Sequence, residues 1–371
     1  MRDATRVIRA TLGEAKAGEP LHAGPVFAAP FHAAGDPVAA KYTYARSHNP
    51  TWSHLEAAIA ALEGEGAGVR VFASGIAAEA AVFGAVLRPG DTVVIGEGIY
   101  FGGRQLLAER FVPMGVRVRA VKACELVAAE AVAGARLVWV ETPSNPELEI
   151  TDIAAVVRVA HEAGALVAVD NTTATPMGQK PLGLGADLSV CSDSKSMGGH
   201  SDLLLGHVAT TDPQLLADLD RQRTLTGGIA GPMEAWLALR SLATLPLRLE
   251  RSSANALAIA EFLAAREEVS GVLYPGLKSH KGHEIAARQM TYFGAVLGFT
   301  LASKEAAERF LEAAELITQA TSFGGIATTA ERRARWGHDG VAPGFIRMSA
   351  GCEDVGDLLA DMERALDKSK E

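Results

Sequence analysis

Between residues 51 and about 210, short runs rich in Val, Ile and Leu alternate with Ala-rich stretches of helical character, and this alternation constrains the fold more than any other feature. A strand covered on both faces reads as a continuous apolar run, and such strands separated by helices build a parallel sheet between two helical layers. The pattern predicts strands at 69–73, 91–96, 116–121, 136–141, 165–170, 187–191 and 204–210. It predicts helices at 51–63, opening after Pro50; at 77–87, stopped by Arg88, Pro89 and Gly90; and at 152–163, closed by Gly164. The class is α/β, with a mostly parallel seven-stranded sheet.

Residues 1–50 carry Gly, Pro, His and Tyr without a helical or strand period, so they read as an extended arm of the kind that reaches a neighbouring subunit. A helical region from 233 to about 266, interrupted near Pro246, leads into strand and helix patterns at 272–274, 295–301, 304–315 and 345–350. This predicts a smaller α+β domain over 236–371 beside a large domain over 51–235, a division that a chain of 371 residues accommodates.

Net charge is −9 and no basic stripe occurs, which argues against nucleic acid or an anionic membrane as partner. The three cysteines, Cys124, Cys191 and Cys352, lie far apart without a CxxC pair, so neither a disulfide framework nor a metal site is expected. The first residues lack an apolar signal core and no window approaches about 18 uninterrupted apolar residues. The expectation is a cytoplasmic protein without a membrane span.

The stretch CSDSKSMGGHSD, residues 191–202, places Lys195 at the end of an apolar strand between Ser192, Ser194 and Ser196. Desolvation of an ammonium lowers its pKa from about 10.4, and only the neutral amine attacks a carbonyl. Twenty-five residues earlier, ALVAVDN ends another buried strand with Asp170. A lysine for an aldehyde, an acid to keep a pyridine nitrogen protonated and hydroxyls for a phosphate are what pyridoxal 5'-phosphate (PLP) requires. In an open parallel sheet both residues would sit at the strand ends where ligands bind. The phosphate cup is completed by FASGIAAEA, residues 72–80, where Gly75 and Ile76 would offer backbone N–H groups at a helix N-terminus. A dinucleotide fold is disfavoured, because no GxGxxG joins the first strand to its helix and Gly64, Gly66 and Gly68 precede the strand.

KYTYARSHNPTWSHLE at 41–56, ETPSNP at 141–146, VDNTTATP, SDSK, YPGL from Tyr274 and GFIRMSAGCED near the end complete a pattern. In that order they resemble the cystathionine γ-synthase/γ-lyase family of PLP-dependent enzymes of Cys and Met metabolism, over residues 20 to 365. PMEAWLALRSLATLPLR and TSFGG add likeness to bacterial cystathionine γ-lyases. The resemblance implies the type I aminotransferase-like fold, PLP bound in the large domain, a small amino-acid substrate, and a homotetramer built from dimers that share active sites.

It also implies roles for individual residues. Lys195 would hold the cofactor aldehyde and move protons, Asp170 would pair with the ring nitrogen, and Gly75, Ile76, Ser192 and Ser194 would hold the phosphate. Tyr100 would stack on the ring and assist the leaving group, while Tyr44 and Arg46 would reach the phosphate from the adjacent subunit. Arg347 would bind the substrate α-carboxylate, with Asn145 and Ser322 as further contacts. Thr43 and Thr321 stand where many cystathionine-handling members carry glutamate, so the far end of the substrate lacks an expected acid. Phe101 and Asp193 replace commoner small residues, and Asp193 brings a negative charge to the phosphate segment. The shared motifs do not separate γ-elimination from γ-replacement or β-elimination.

Overall fold

Seven strands make the larger sheet: β1 (Gly68–Phe72), β2 (Thr92–Gly96), β3 (Arg117–Val121), β4 (Leu137–Glu141), β5 (Leu166–Asp170), β6 (Leu188–Cys191) and β7 (Gly206–Thr210). The computed structural model describes residues 1–13, 15–36 and 39–371. Strand order is β1-β7-β6-β5-β4-β2-β3. The pairings from β3 through β6 are parallel, and β7 runs antiparallel to both β6 and β1. Each strand lies within two residues of the predicted run. The largest shift is at β7, where Leu204 and Leu205 precede the strand and Leu204 is 69% exposed. Strands β2, β4 and β7 are buried along their whole length, which is why their sequences read as unbroken apolar runs. Edge strand β3 instead exposes Arg117 and Arg119, charges that discourage pairing with another chain.

Helices α1 (Asp3–Ala10), α2 (Pro50–Glu63), α3 (Gly75–Val86), α4 (Phe101–Leu106), α5 (Ala129–Val132), α6 (Ile153–Glu162), α7 (Thr175–Gly178) and α8 (Pro213–Thr226) flank this sheet. Asn49, Ser74, Asp152 and Asp212 cap α2, α3, α6 and α8 with side-chain oxygens that accept backbone N–H groups. The arm expected over 1–50 departs from an extended form at its start. Helix α1 buries Val7 in the cluster that holds Trp52, Leu55 and Ile59 of α2, a tertiary contact that one apolar residue in a polar octapeptide does not advertise. Beyond it, Pro30 and Tyr44 form an antiparallel bridge, and Trp236 Nε1 donates to the Ala23 carbonyl at 2.9 Å.

The chain continues through α9 (Pro232–Leu242), α10 (Leu245–Ala264), β8 (Ser270–Leu273), α11 (His283–Gln289), β9 (Val296–Thr300), α12 (Lys304–Ala313), β10 (Thr318–Gln319), β11 (Thr329–Arg332), β12 (Phe345–Ser349) and α13 (Val355–Ser369). The second sheet has the order β10-β11-β12-β9-β8 and is antiparallel except between β10 and β11. The expected 235/236 division falls inside α9. Ala235, Ala238 and Leu239 pack with α2 in the large core, as do Leu245 and Leu249 at the start of α10. Ala256, Ile259 and Leu263 of α10 belong to the small-domain core, so one helix passes from the first core to the second.

Candidate active site

Parallel strands deliver their C-terminal ends to one edge of the sheet. Strand β4 ends on Glu141, β5 on Asp170, and β6 on Cys191 just before Ser192. Two successive antiparallel pairings leave β1 running in the direction of β6, so Ser74 and the start of α3 join the same edge. One cavity there is lined by Gly75, Ile76, Tyr100, Asn145, Asp170, Ser192, Ser194 and Lys195, and thus gathers eight of the residues selected from sequence. Glu79, Glu141, Thr172 and Phe323 line it as well, and sequence reasoning gave none of them a role.

The cup is built from close backbone approach. Ser74 caps α3 by accepting from Ala77 N at 3.2 Å, leaving Gly75 and Ile76 in the first turn, where N–H groups have no intrahelical acceptor. A Cβ on Gly75 would stand 2.6 Å from Ser192 Cβ, so only glycine lets the helix start approach the serine segment. Ser192 N donates to Thr172 Oγ1 at 2.8 Å, and Ser194 Oγ both accepts from Leu205 N and donates to Leu205 O. Phosphate recognition by hydroxyls and helical N–H groups fits this cradle.

Burial lowers the proton affinity of the Lys195 amine, and Arg347 lowers it further against the opposing pull of Asp170. The result favours the neutral nucleophile. Lys195 Nζ lies 5.7 Å from the Phe323 ring centroid, and the Arg347 guanidinium lies 5.6 Å from the same ring. Burial raises Asp170 above the usual carboxylate range, opposed by bonds from Thr172 and by Lys195. Glu141 is pushed well up by burial and then by Asp170, although it accepts from Tyr100 N at 2.5 Å and Asn145 N at 2.9 Å. Those two bonds tie the residues that follow β2 and β4 to one carboxylate. Burial, Asp170 and Glu141 also push Glu79 well up, and its sequence signal was a lone acid in an otherwise apolar helix. A cluster of buried acids facing one lysine is suited to a cationic ring nitrogen.

The opposite wall comes from the small domain. Arg347 on β12 donates to Asn145 Oδ1 at 2.8 Å, the Ser322 carbonyl at 2.8 Å and Glu331 Oε1 at 2.5 Å. Burial lowers its pKa to about 10 against the pull of Glu331, so it remains a cation at neutral pH. Ser322 has a φ of 76°, and it meets Arg347 through its backbone carbonyl. Thr321 donates from Oγ1 to Glu331 at 3.3 Å. Glu331 also accepts from Arg333, Arg335 and Trp336, while Arg333 donates to Asp339 at 2.7 Å. This network went unread in the sequence because its members are separated from Arg347 by a loop.

Tyr44, Arg46 and Thr43 lie outside the chain's own cavity. Arg46 donates to the Thr224 carbonyl at 3.2 Å, and Tyr44 is 48% exposed. Asp193 departs from the expected charge beside the phosphate segment. Its side chain is buried and turned away, with Oδ1 2.7 Å from His207 Nδ1. Phe101 stacks on His338 with ring centroids 4.3 Å apart.

The match to known proteins agrees with this geometry. A family model described as "Cys/Met metabolism PLP-dependent enzyme" covers residues 14–367. A provisionally named cystathionine gamma-lyase of Streptomyces coelicolor is 50% identical over 372 residues, spanning 100% of this chain and 94% of that protein. The cystathionine gamma-synthase of Mycobacterium bovis is 43% identical over 335 residues, 88% of this chain and 86% of its own. The crystal structure of an apo methionine gamma lyase from Micromonospora echinospora superposes with a TM-score of 0.92 at 37% identity, covering 99% of both chains. These relatives differ in reaction but share one fold and one cofactor class. The lysine, the buried acid and the phosphate cradle therefore stand in a chain that belongs to the Cys/Met metabolism family of PLP-dependent enzymes.

Proposed function

We propose that this enzyme catalyses γ-elimination on a γ-substituted L-amino acid, converting L-cystathionine and water to L-cysteine, 2-oxobutanoate and ammonia. The observation that carries the reading is a single cavity with Lys195, Asp170 and Tyr100 in its wall, in a chain that is 50% identical along its full length to the Streptomyces coelicolor relative. PLP, when bound, supplies an aldehyde for the substrate amine and a ring that absorbs carbanion charge.

Lys195 holds the aldehyde carbon and, once freed, carries protons between the substrate Cα and Cβ; its buried, lowered amine suits both tasks. Asp170 keeps the ring nitrogen protonated. Ser192, Ser194 and the N–H groups of Gly75 and Ile76 hold the phosphate. Tyr100, half exposed over the cavity, stacks on the ring and delivers a proton to the departing sulfur. Arg347 takes the α-carboxylate through its planar fork, with Asn145 and Ser322 fixing its orientation.

Tyr44 and Arg46 of the partner subunit complete the phosphate site, which accounts for their position outside the chain's own cavity. The enzyme is accordingly a homotetramer of dimers, with the arm over 1–50 at the subunit boundary, a PLP-binding domain over 51–235 and a C-terminal domain over 236–371. It acts in the cytoplasm. None of the described helices is long and apolar enough to cross a membrane.

A second reading follows from the far end of the cleft. Thr321 is neutral and directs its hydroxyl to Glu331, so neither Thr321 nor Thr43 brings a carboxylate of its own to a distal ammonium. A smaller γ-substituted amino acid, with a thiol or a halide as leaving group, fits that feature. The test is an assay of the purified enzyme with L-cystathionine, then methionine, then an O-acylhomoserine with cysteine, measuring keto acid, thiol and ammonia. Equal amounts of cysteine and 2-oxobutanoate from cystathionine are expected. Pyruvate with homocysteine, or net γ-replacement, would overturn the proposal, and an inert cystathionine with an active smaller substrate would select the second reading.

A further inference from the structure

Behind the cup, away from the cavity, three ionisable side chains meet in the interior. His207 on β7 presents Nδ1 to Asp193 Oδ1 at 2.7 Å and Nε2 to Glu63 Oε1 at 2.9 Å. All three are at most 1% exposed. Glu63 is the last residue of α2 and also accepts from Ser189 Oγ at 2.9 Å. Burial disfavours the charged imidazole, but Asp193 and Glu63 outweigh it and push its pKa up to about 10. The ring is therefore a cation between two anions.

Asp193 lies between two cavity-lining serines, so its carboxylate has two destinations: toward the anion site, where it would repel a phosphate, or into the interior, where a buried anion needs a partner. His207 makes the second possible. It is the cross-strand neighbour of Cys191, the residue before Ser192, so strand pairing brings the ring to the root of the segment. The second oxygens of Asp193 and Glu63 have no hydrogen-bond partner among the described residues, so the Asp193 carboxylate depends on His207 alone.

We propose that His207, bridging Asp193 and Glu63 behind the cup, is a positioning residue for cofactor binding: it draws the Asp193 carboxylate to the far side of residues 192–194 and keeps the flanking serine hydroxyls on the phosphate side. A metal at this place fits less well. Glu63, Cys191 and His207 bring ligand-type atoms within 4.8 Å of one another, but both ring nitrogens are engaged. Burial, Glu63 and Asp193 push the Cys191 thiol well up, away from the thiolate a metal requires.

The proposal rests on the assignment of Ser192 and Ser194 to the phosphate, and the experiment separates the two. PLP is removed from the full-length enzyme and retitrated in the native protein and in Ser192→Ala, His207→Ala, Asp193→Ala and Asp193→Ala/His207→Ala, with the Tm of each PLP-free protein recorded and metal content measured. His207→Ala is expected to raise the PLP Kd about tenfold or more, and the double variant to return within about threefold of native, because removing both partners takes away the stranded carboxylate. A purely structural role would lower the Tm of the PLP-free variants without separating their PLP affinities. Should His207→Ala not fold, His207→Gln is expected to weaken PLP in the same direction. A native Kd in the single histidine variant, equal Kd values in the single and double variants, or a stoichiometric metal lost with His207 would each overturn the proposal. A native Kd in Ser192→Ala would instead overturn the phosphate assignment.

Discussion

Asp170 and Glu331 are both buried carboxylates at the cleft, yet burial raises the first out of the ordinary range, while Arg347, Trp336 and Arg333 outweigh burial and hold the second below it. The contrast extends to the two walls that carry them. On the large-domain wall, Asp170, Glu141 and Glu79 share one cavity with Lys195, and burial pushes all three acids up. On the small-domain wall, Glu331 and Asp339 are matched by Arg347 and Arg333 at 2.5–2.7 Å. A wall with unbalanced buried acids is shaped for a cationic group from outside, whereas a wall with balanced charges is preorganised and presents one guanidinium in a fixed pose.

Substitution on the large-domain wall should have the largest effect. Lys195→Ala is expected to abolish turnover and the visible absorption of the bound cofactor, and Asp170→Asn to slow turnover by about two orders of magnitude or more, on the order of 3 kcal/mol in the barrier. A Lys195→Ala enzyme that keeps both absorption and activity would break the comparison at its root.

On the opposite wall, Arg347→Lys should act on the substrate and leave the cofactor in place. Loss of a bidentate, charge-assisted contact is expected to raise KM by about 10–100-fold, corresponding to about 1.5–3 kcal/mol. The PLP Kd should remain native, and loss of PLP from this variant would show that the two walls do not divide the work as described.

The smallest effect expected concerns acid stability. Glu331 has a folded pKa below its unfolded value, so its contribution is complete above the unfolded pKa of about 4.3 and is lost as the pH falls through the folded value. The Tm difference between native enzyme and Glu331→Gln should therefore be constant near neutrality and narrow in acid, as the native carboxyl protonates. A gap that stays constant at every pH would mean that Glu331 is held by packing, with no share from the surrounding arginines.

What was legible in the chain follows the same physical divide. The strands of the large sheet declared themselves because burial on both faces demands apolar residues at every position, as in Thr92–Gly96 and Leu137–Glu141. Lys195 and Asp170 stood out because each is an ionisable residue at the end of such a run. Helix α1 escaped notice because Val7 is its one buried side chain, and β10 and β11 because they are short and polar. Glu331 was invisible as a hub because four of its donors come from residues 321, 333, 335 and 347, brought together only when β11 pairs with β12.

By itself the sequence determined the α/β class, the order of the parallel strands' ends and the presence of a lysine, an acid and a phosphate cradle along one edge, because these depend on local period and on what a strand terminus exposes. Only the tertiary structure decided where the charges point. Asp193 sits between two serines in the chain, yet its direction is set by His207, 14 residues away, and His207 is held in turn by Glu63, 144 residues from it. A side chain's orientation is chosen by the partner that satisfies its charge, and in a buried network that partner is supplied by distant segments.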